Sequence, residues 1–250
     1  MTRFQIHLVG VAVVGGLALV CHNFTLLGLT LLASFLVIVL GVWNPGLRIF
    51  GPFICRGNPS RKQVALTFDD GPDPVSTPVL LDLLRELKLP AAFFVIGKHV
   101  EAHPELTARI VREGHLVANH SFRHSYATNF FTVAQLTDDL TKAQAAIEKA
   151  VGQAPTLFRP PMGLSNPNVF AVAKKMRFQV IGWTARGFDT QIKSSDWVVK
   201  RIMRQLQPGG IILLHDGDIP ADRLVVTLKL LLAKLQAHGY EIVRLDQILT

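Results

Sequence analysis

Two adjacent carboxylates, Asp69 and Asp70, follow the apolar run VALTF and stand directly before a Gly-Pro turn. Further along the chain, the segment HSFRH places His120 and His124 four residues apart. Residues at this spacing lie on one face of a helical turn, so both imidazoles can reach one metal ion. Two histidines and a carboxylate leave coordination positions free for water and substrate, as hydrolytic zinc sites and related divalent sites require. We therefore expect a metal site for hydrolysis, with either aspartate available as the third ligand.

Each of these residues also has a simpler interpretation. Asp before Gly-Pro is common in turns and helix caps, and two histidines at this spacing are often only solvated or hydrogen-bonded. Arg159 would by itself be read as part of a surface salt bridge, and His215 as a buried, hydrogen-bonded histidine. The metal-site interpretation therefore depends on the fold bringing these side chains together.

The secondary-structure elements that must position these side chains alternate between strands and helices from residue 61 onwards. Strands separated by helices of about ten or more residues favour a parallel sheet, and seven or eight such strand–helix units favour a barrel. The expected strands are VALTF, AAFFVIG, HLVAN, LF, FQVIGWT, GIILLH and EIVRL, and the expected helices lie near residues 77–87, 105–113, 133–151, 167–176, 197–206 and 224–238. Reactive groups in such barrels gather at the carboxyl ends of the strands. Five of the expected strand ends carry such groups: Asp69 with Asp70, His120, Arg159, Asp189 and His215.

Five segments in order, TFDDGPDP, HSFRH, RPPMG, GWTARGFDT and LLHDG, resemble the motifs of the polysaccharide deacetylases with a NodB-type domain, carbohydrate esterase family 4. The resemblance covers about residues 62–248, and it is specific because all five segments occur together. It implies an α/β fold with a distorted (β/α) barrel and metal-dependent removal of an N-acyl group, usually acetyl, from an amino sugar. Zinc is the expected metal, with cobalt, nickel or manganese as alternatives.

The resemblance also implies a division of work at the metal site. Asp70 would ligate the metal together with His120 and His124, while Asp69 would act as the general base. Such a division is chemically sensible because a metal activates water and polarises the amide carbonyl, yet a separate carboxylate must still take the proton. Arg159 would orient Asp69, as a fork-shaped cation can.

The resemblance assigns the remaining steps to four further residues. His215 would protonate the leaving amine, and Asp189 would position this histidine and raise its pKa. The backbone N–H of Met162 would help to bind the developing oxyanion, and Leu213 would line the pocket for the acyl methyl group. Two positions depart from the family pattern, since Met162 and Thr190 stand where Tyr and Trp are common. Both departures bear on the substrate more than on the chemistry.

The apolar residues are concentrated at the front of the chain, where residues 4–47 contain no Asp, Glu, Lys or Arg. Residues 24–43 have the length and composition of a bilayer span. Residues 4–20 could be a signal-like segment, but a shorter first span is favoured, because a second apolar run follows almost at once. Basic residues flank the outer ends of this hairpin: Arg3, Arg48, Arg56, Arg61 and Lys62. The positive-inside rule then predicts an integral protein of a bacterial-type inner or plasma membrane, with its catalytic domain on the cytoplasmic side.

The chain is accordingly divided into a transmembrane hairpin (1–43), a Gly- and Pro-rich membrane-proximal linker (44–60) and a catalytic domain (61–250). The formal net charge of +8 does not indicate nucleic-acid binding, because no basic run is interleaved with aromatic residues. Attraction to anionic lipid headgroups is the better explanation of this positive charge. The two cysteines, Cys21 and Cys55, provide no disulfide framework.

The sequence therefore predicts a membrane-anchored N-deacetylase acting on an N-acetylated glycan or a lipid-linked amino sugar near the bilayer. Two alternatives stay open. One is hydrolysis of another amide, such as a formamide on a lipid-linked sugar, and the other is a non-catalytic glycan-binding barrel. Loss of a candidate ligand or of the candidate base would favour the second alternative, and none is lost here.

Overall fold

An apolar pair of helices begins the chain, and an α/β domain follows it. The computed structural model describes residues 1–249, with the backbone alone at Pro45. Thr250, the last residue of the predicted catalytic domain, lies outside the described residues.

The domain is organised around one sheet whose neighbouring strands pair in parallel. Its strands are β1 (Phe53–Ile54), β2 (Gln63–Asp69), β3 (Ala92–Val95), β4 (Leu116–Asn119), β5 (Leu157–Phe158), β6 (Gln179–Ile181), β7 (Ala185–Arg186), β8 (Gly210–His215) and β9 (Glu241–Ile242). Their order is β1-β6-β5-β4-β3-β2-β8-β7, and β9 pairs with the start of β2. Beyond β1, Arg56 forms an antiparallel bridge with Gly210 of β8, so the sheet curls almost into a closed ring. The predicted distorted (β/α) barrel is thereby confirmed.

Helices follow most of the strands. They are α1 (Arg3–Val20), α2 (Phe24–Trp43), α3 (Ser76–Leu87), α4 (Gly97–Ala102), α5 (Pro104–Arg112), α6 (Val133–Val151), α7 (Pro167–Lys175), α8 (Ser195–Gln205), α9 (Ala221–Ala237) and α10 (Leu245–Ile248).

Strand β2 shows how the packing aims the reactive side chains inwards. Its side chains alternate between the two faces of the sheet. Leu66 and Phe68 lie in one apolar cluster with Leu80 of α3, whereas Ala65 lies in a separate cluster on the inner face. Asp69 shares that inner face, because it lies an even number of residues from Ala65. Burial of the outer residues therefore fixes the direction of the carboxylate.

The predicted linker, residues 44–60, contains a strand that the sequence does not reveal. Phe53 of β1 pairs with Val180 and is buried. Its ring also packs edge-on against Phe170, with 5.3 Å between the ring centroids. Strands β1 and β7 are both absent from the predicted elements, because β1 lies within a Gly- and Pro-rich stretch and β7 begins only four residues after the end of β6.

Helices α1 and α2 form the predicted hairpin, and each is long and apolar enough to cross a membrane, a property that signal sequences share. Asn23 accepts a hydrogen bond from the backbone N–H of Leu26 and so caps the start of α2. Between the helices, the side chains of His7 and Ser34 are hydrogen-bonded at 3.0 Å. Polar side chains in apolar helices are favoured when they pair with each other in this way.

The end of α2 is attached to the domain through the loop that follows β5. The backbone N–H of Ser165 donates to the carbonyl of Val42 at 3.4 Å, and its hydroxyl donates to the carbonyl of Gly41 at 3.3 Å. Ser165 is buried, with 2% of its surface exposed. The hairpin is therefore joined to the domain beside the loop that also carries Met162.

Candidate active site

The residues expected at strand ends all lie at the carboxyl edge of the sheet. Asp69 is the last residue of β2 and His215 the last residue of β8, and the register places these two side by side. His120 follows β4 and Arg159 follows β5, while Asp189 lies three residues beyond β7. The parallel arrangement brings these separate segments to one site.

Asp70, His120 and His124 form a compact group whose potential ligand atoms all lie within 4.8 Å of one another. Oδ1 of Asp70 lies 3.4 Å from Nε2 of His120 and 3.2 Å from Nε2 of His124. Two ligands about 2.0–2.1 Å from a tetrahedral ion lie roughly 3.3 Å apart. Among residues 1–249 this buried carboxylate oxygen has no hydrogen-bond partner. The group therefore fits a divalent cation.

Local backbone geometry aims the three side chains at one point. Asp70 has a φ of 76°, a left-handed conformation that ends the alternation of β2, and its carboxylate lies 3.4 Å from Nε2 of His120, the nitrogen that the Asp69 carboxylate approaches at 3.7 Å. Its carbonyl accepts a hydrogen bond from Nδ1 of His99 at 2.9 Å. Nδ1 of His120 donates to the carbonyl of Arg159 at 2.7 Å, which leaves Nε2 free for a metal. His99, which the sequence does not single out, thus supports the site from behind.

The electrostatic environment suits a cation at this group. Burial and the charge of His120 lower the pKa of His124 to about 4, so its imidazole is neutral near pH 7. Burial also disfavours the protonated form of His120, but the negative charges of Asp69 and Asp70 have the larger effect and raise the pKa of His120. Protonation therefore competes with metal binding more strongly at His120 than at His124, since a metal ligand must be deprotonated.

Asp69 has a different partner from Asp70. Its Oδ1 lies 2.5 Å from an Nη of the fully buried Arg159, whereas its Oδ2 lies 3.7 Å from Nε2 of His120. One carboxylate oxygen is thus paired with the guanidinium, and the other points towards the histidine–aspartate group. This arrangement leaves Oδ2 beside the position where a cation would bind.

Arg159 is itself held by contacts that the sequence does not reveal. The same Nη donates to the hydroxyl of Thr67 at 2.9 Å, and the other Nη donates to the carbonyl of Gly182 at 2.9 Å. The guanidinium carbon also lies 4.0 Å from the ring centroid of Phe94. A buried guanidinium needs such acceptors, because an unpaired buried charge is strongly destabilising.

His215 and Asp189 form a second pair beside Asp70. Nδ1 of His215 donates to Oδ1 of Asp189 at 2.9 Å, and its backbone N–H donates to Oδ2 at 2.8 Å. Burial opposes protonation of the imidazole, but the hydrogen bond and charge of Asp189, with smaller contributions from Asp69 and Asp70, raise the pKa of His215 to about 9. Nε2 of His215 lies 3.9 Å from Oδ2 of Asp70. A protonated imidazole therefore faces the same space as Asp69.

Met162 and Leu213 also lie at this site. Met162 has a φ of 57°, and in the described part of the chain no residue accepts a hydrogen bond from its backbone N–H. The next residue, Gly163, has a φ of 68°, and a Cβ there would lie 2.0 Å from the ring of Trp183. Leu213 is buried in β8 on the same face as His215. An N–H donor and an apolar side chain are thus both available near the base and the acid.

Asp216, the residue after His215, is completely buried behind the site. It accepts a hydrogen bond from the hydroxyl of Thr77 at 2.6 Å, and its carbonyl accepts one from Ser76. Burial, with the charges of Asp70 and Asp69, raises its pKa to about 7. A Cβ at Gly71 would lie 2.3 Å from this carboxylate. The contact ties the turn after Asp70 to the start of α3.

The polysaccharide deacetylase family model matches residues 56–181. The chain is 37% identical over 192 residues to a peptidoglycan-N-acetylglucosamine deacetylase of Bacillus cereus, covering 76% of this chain and 89% of that protein. It is also 37% identical over 199 residues to a chitooligosaccharide deacetylase of Bradyrhizobium, covering 75% of this chain and 90% of that protein.

Solved structures share the fold. A pseudoenzyme of carbohydrate esterase family 4 from Bacillus anthracis superposes with a TM-score of 0.73 at 28% sequence identity, covering 80% of this chain and 69% of that one. The family-model match covers three of the five segments that resemble the family motifs, TFDDGPDP, HSFRH and RPPMG. The chain belongs to the polysaccharide deacetylase family.

Proposed function

We propose that this chain is a metal-dependent deacetylase that removes an N-acetyl group from an amino sugar of a membrane-proximal glycan or lipid-linked saccharide. The observation that supports it most strongly is the arrangement around Asp70. The carboxylate of Asp69 lies 3.7 Å from Nε2 of His120, and the protonated imidazole of His215 lies 3.9 Å from Asp70 at the end of the neighbouring strand. Amide hydrolysis needs a base and an acid placed in this way about one reacting carbon.

Asp70, His120 and His124 would bind a divalent ion, with zinc preferred and cobalt, nickel or manganese as alternatives. When bound, such an ion lowers the pKa of water and polarises an amide carbonyl. Asp69 takes the proton from the attacking water through Oδ2, because Oδ1 is already paired with Arg159. Arg159 keeps the carboxylate in position and supplies the counter-charge that keeps it available as a base.

The remaining residues act on the carbonyl oxygen, the methyl group and the leaving amine. The backbone N–H of Met162 donates to the oxygen as it gains negative charge. Leu213 contacts the acetyl methyl group, and its small pocket favours acetyl over larger acyl groups. His215 then gives its Nε2 proton to the amine as the C–N bond breaks, so the products are acetate and the free amino sugar.

The placement of the hairpin supports a substrate close to the bilayer. The loop that supplies Met162 is bonded through Ser165 to the last turn of α2. Asn166 in the same loop donates to Asn129, which lies in a short helical turn, Tyr126–Phe130, after His124. Aromatic side chains at such a position are suited to the membrane–water interface, and Tyr126 and Phe130 are 85% and 86% exposed.

Acetate release from N-acetylglucosamine oligomers by the purified full-length protein tests the proposed chemistry. Removal of metal with a chelator should lower kcat/KM at least ~100-fold, and added zinc should restore it. His124→Ala should have a similar effect, whereas His238→Ala, at an exposed helix end, should have none. Full activity in protein shown to be metal-free would contradict the proposal. Absence of acetate release would favour the non-catalytic, glycan-binding barrel. Faster hydrolysis of formylated sugars would favour the alternative activity, hydrolysis of a formamide.

The pair formed by His215 and Asp189 predicts a pH profile. His215 must carry a proton to act as acid, so kcat should fall as the pH rises through about 9, its pKa in the structure. In Asp189→Asn the favourable charge is lost and burial dominates, so the pKa of His215 should drop and the alkaline limb of kcat should move to lower pH. Asp196→Asn, at the exposed start of α8, serves as the control. If the alkaline limb of kcat does not move in Asp189→Asn, the assignment of His215 as the general acid is contradicted.

We also propose that the catalytic domain lies on the cytoplasmic side, with the turn between α1 and α2 on the other side. In a Cys55→Ser background, a membrane-impermeant thiol reagent should label Cys21, which is exposed in this turn, in intact cells. The control carries Phe130→Cys with both native cysteines replaced by Ser, and it should be labelled only after the cells are opened. The reverse pattern would place the domain outside.

A further inference from the structure

Arg186 has no part in the mechanism described above, yet it lies on the wall of the active site. It is the second residue of β7 and pairs in register with Leu213 of β8. Registered residues on neighbouring parallel strands point to the same face, and Leu213 shares its face with His215. The next residue, Gly187, packs outwards against Val198 of α8. The side chain of Arg186 is therefore directed to the inner face of the sheet.

Two aromatic rings fix the guanidinium of Arg186. Its Cζ lies 3.8 Å from the ring centroid of Phe188 and 5.2 Å from that of Trp183. Stacking of this kind uses the flat faces of a guanidinium and leaves the N–H groups around its edge free to donate. The half-buried side chain is therefore held in place without the use of its hydrogen-bond donors.

The guanidinium also has no acidic partner. Among residues 1–249, no carboxylate oxygen lies within salt-bridge distance of Arg186, and its buried Nε has no acceptor. The three carboxylates of the site are each committed elsewhere: Asp69 to Arg159, Asp70 to the histidine pair, and Asp189 to His215. Burial disfavours the charge of Arg186, which only the more distant Asp189 and Asp69 offset, and an anionic ligand would relieve that cost.

Neighbouring contacts place this cation between the two ends of the reaction site. The Trp183 ring lies against Gly163, the residue after Met162. In the other direction, Asp189 lies three residues from Arg186 and binds His215. A group attached to the sugar near its acetamido substituent would thus come within reach of the guanidinium.

We propose that Arg186 is a substrate-binding residue that recognises an oxyanion, a carboxylate or a phosphate, carried next to the acetylated amino group. This inference rests on the proposed deacetylase function and specifies its substrate class. A planar guanidinium binds two oxygens of such an anion at once, which a lysine cannot do. The preferred substrate is therefore an acidic amino sugar, or an amino sugar linked to phosphate, and not a neutral oligomer.

The first test compares substrates in the wild-type, metal-loaded protein. Acetate release is measured with three probes: a neutral N-acetylglucosamine oligomer, an oligomer containing N-acetylmuramic acid, which carries a carboxylate, and N-acetylglucosamine 1-phosphate. At least one anionic probe should show a kcat/KM about tenfold above that of the neutral oligomer, mainly through a lower KM. The probe that is preferred identifies the anion as carboxylate or phosphate. Equal or better turnover of the neutral oligomer would overturn the inference.

The second test changes the residue. Arg186→Gln should reduce the preference for the anionic probe about tenfold, and Arg186→Lys should reduce it about threefold, since the charge remains but the fork is lost. Arg201→Gln is the matched control, because Arg201 stacks on the same Phe188 ring with 4.6 Å to its centroid but lies on the exposed side of α8. The control should keep the preference. An unchanged preference in Arg186→Gln, or an equal loss in the control, would contradict a specific site.

Binding measurements separate this inference from the proposed activity. Tryptophan fluorescence reports on Trp183 beside Arg186, so the dissociation constants of the same three probes can be measured in a protein that releases no acetate. Tighter binding of an anionic probe, lost in Arg186→Gln, would support the oxyanion site even where the proposed activity fails. Equal binding of all three probes would overturn it.

Discussion

Two neighbouring carboxylates can share one buried site only if each has its own positive partner. Like charges this close would otherwise force one of them to take a proton. In this protein the left-handed backbone of Asp70 ends the alternation of β2, and both carboxylates face Nε2 of His120, at 3.7 Å from Asp69 and 3.4 Å from Asp70. Asp69 then pairs with the buried Arg159, and Asp70 faces the two imidazoles of His120 and His124.

Much of the domain can be understood as the means of bringing these partners to β2. Parallel strands place their carboxyl ends at one edge of the sheet, so residues far apart in sequence meet there. Arg159 comes from the end of β5, and it can be buried because Thr67 and the carbonyl of Gly182 accept its other N–H groups. His120 is in turn fixed by the carbonyl of Arg159. The cation that pairs with one aspartate thus also orients a ligand that faces the other.

The sequence predicts the residues of this site better than it predicts what supports them. HSFRH and the charged strand ends are visible because their residue types are unusual in those positions. The contacts of Thr67 and Asp216 depend on packing between distant segments, which periodicity cannot show. The strand at Phe53 is hidden because it has two residues within a Gly- and Pro-rich stretch. Arg186 is unremarkable in the sequence, and its lack of an acidic partner is apparent only once the neighbouring carboxylates have been assigned.

The central claim is that Asp69 and Asp70 have different tasks, and paired measurements of metal content and acetate release on Asp69→Asn and Asp70→Asn test it most directly. The account predicts that Asp69→Asn keeps one bound metal ion per chain while kcat falls by about 10²–10⁴, the usual contribution of a general base. Asp70→Asn should lose the metal and, with it, turnover. Loss of metal in Asp69→Asn, or retention of turnover in either variant, would contradict the account.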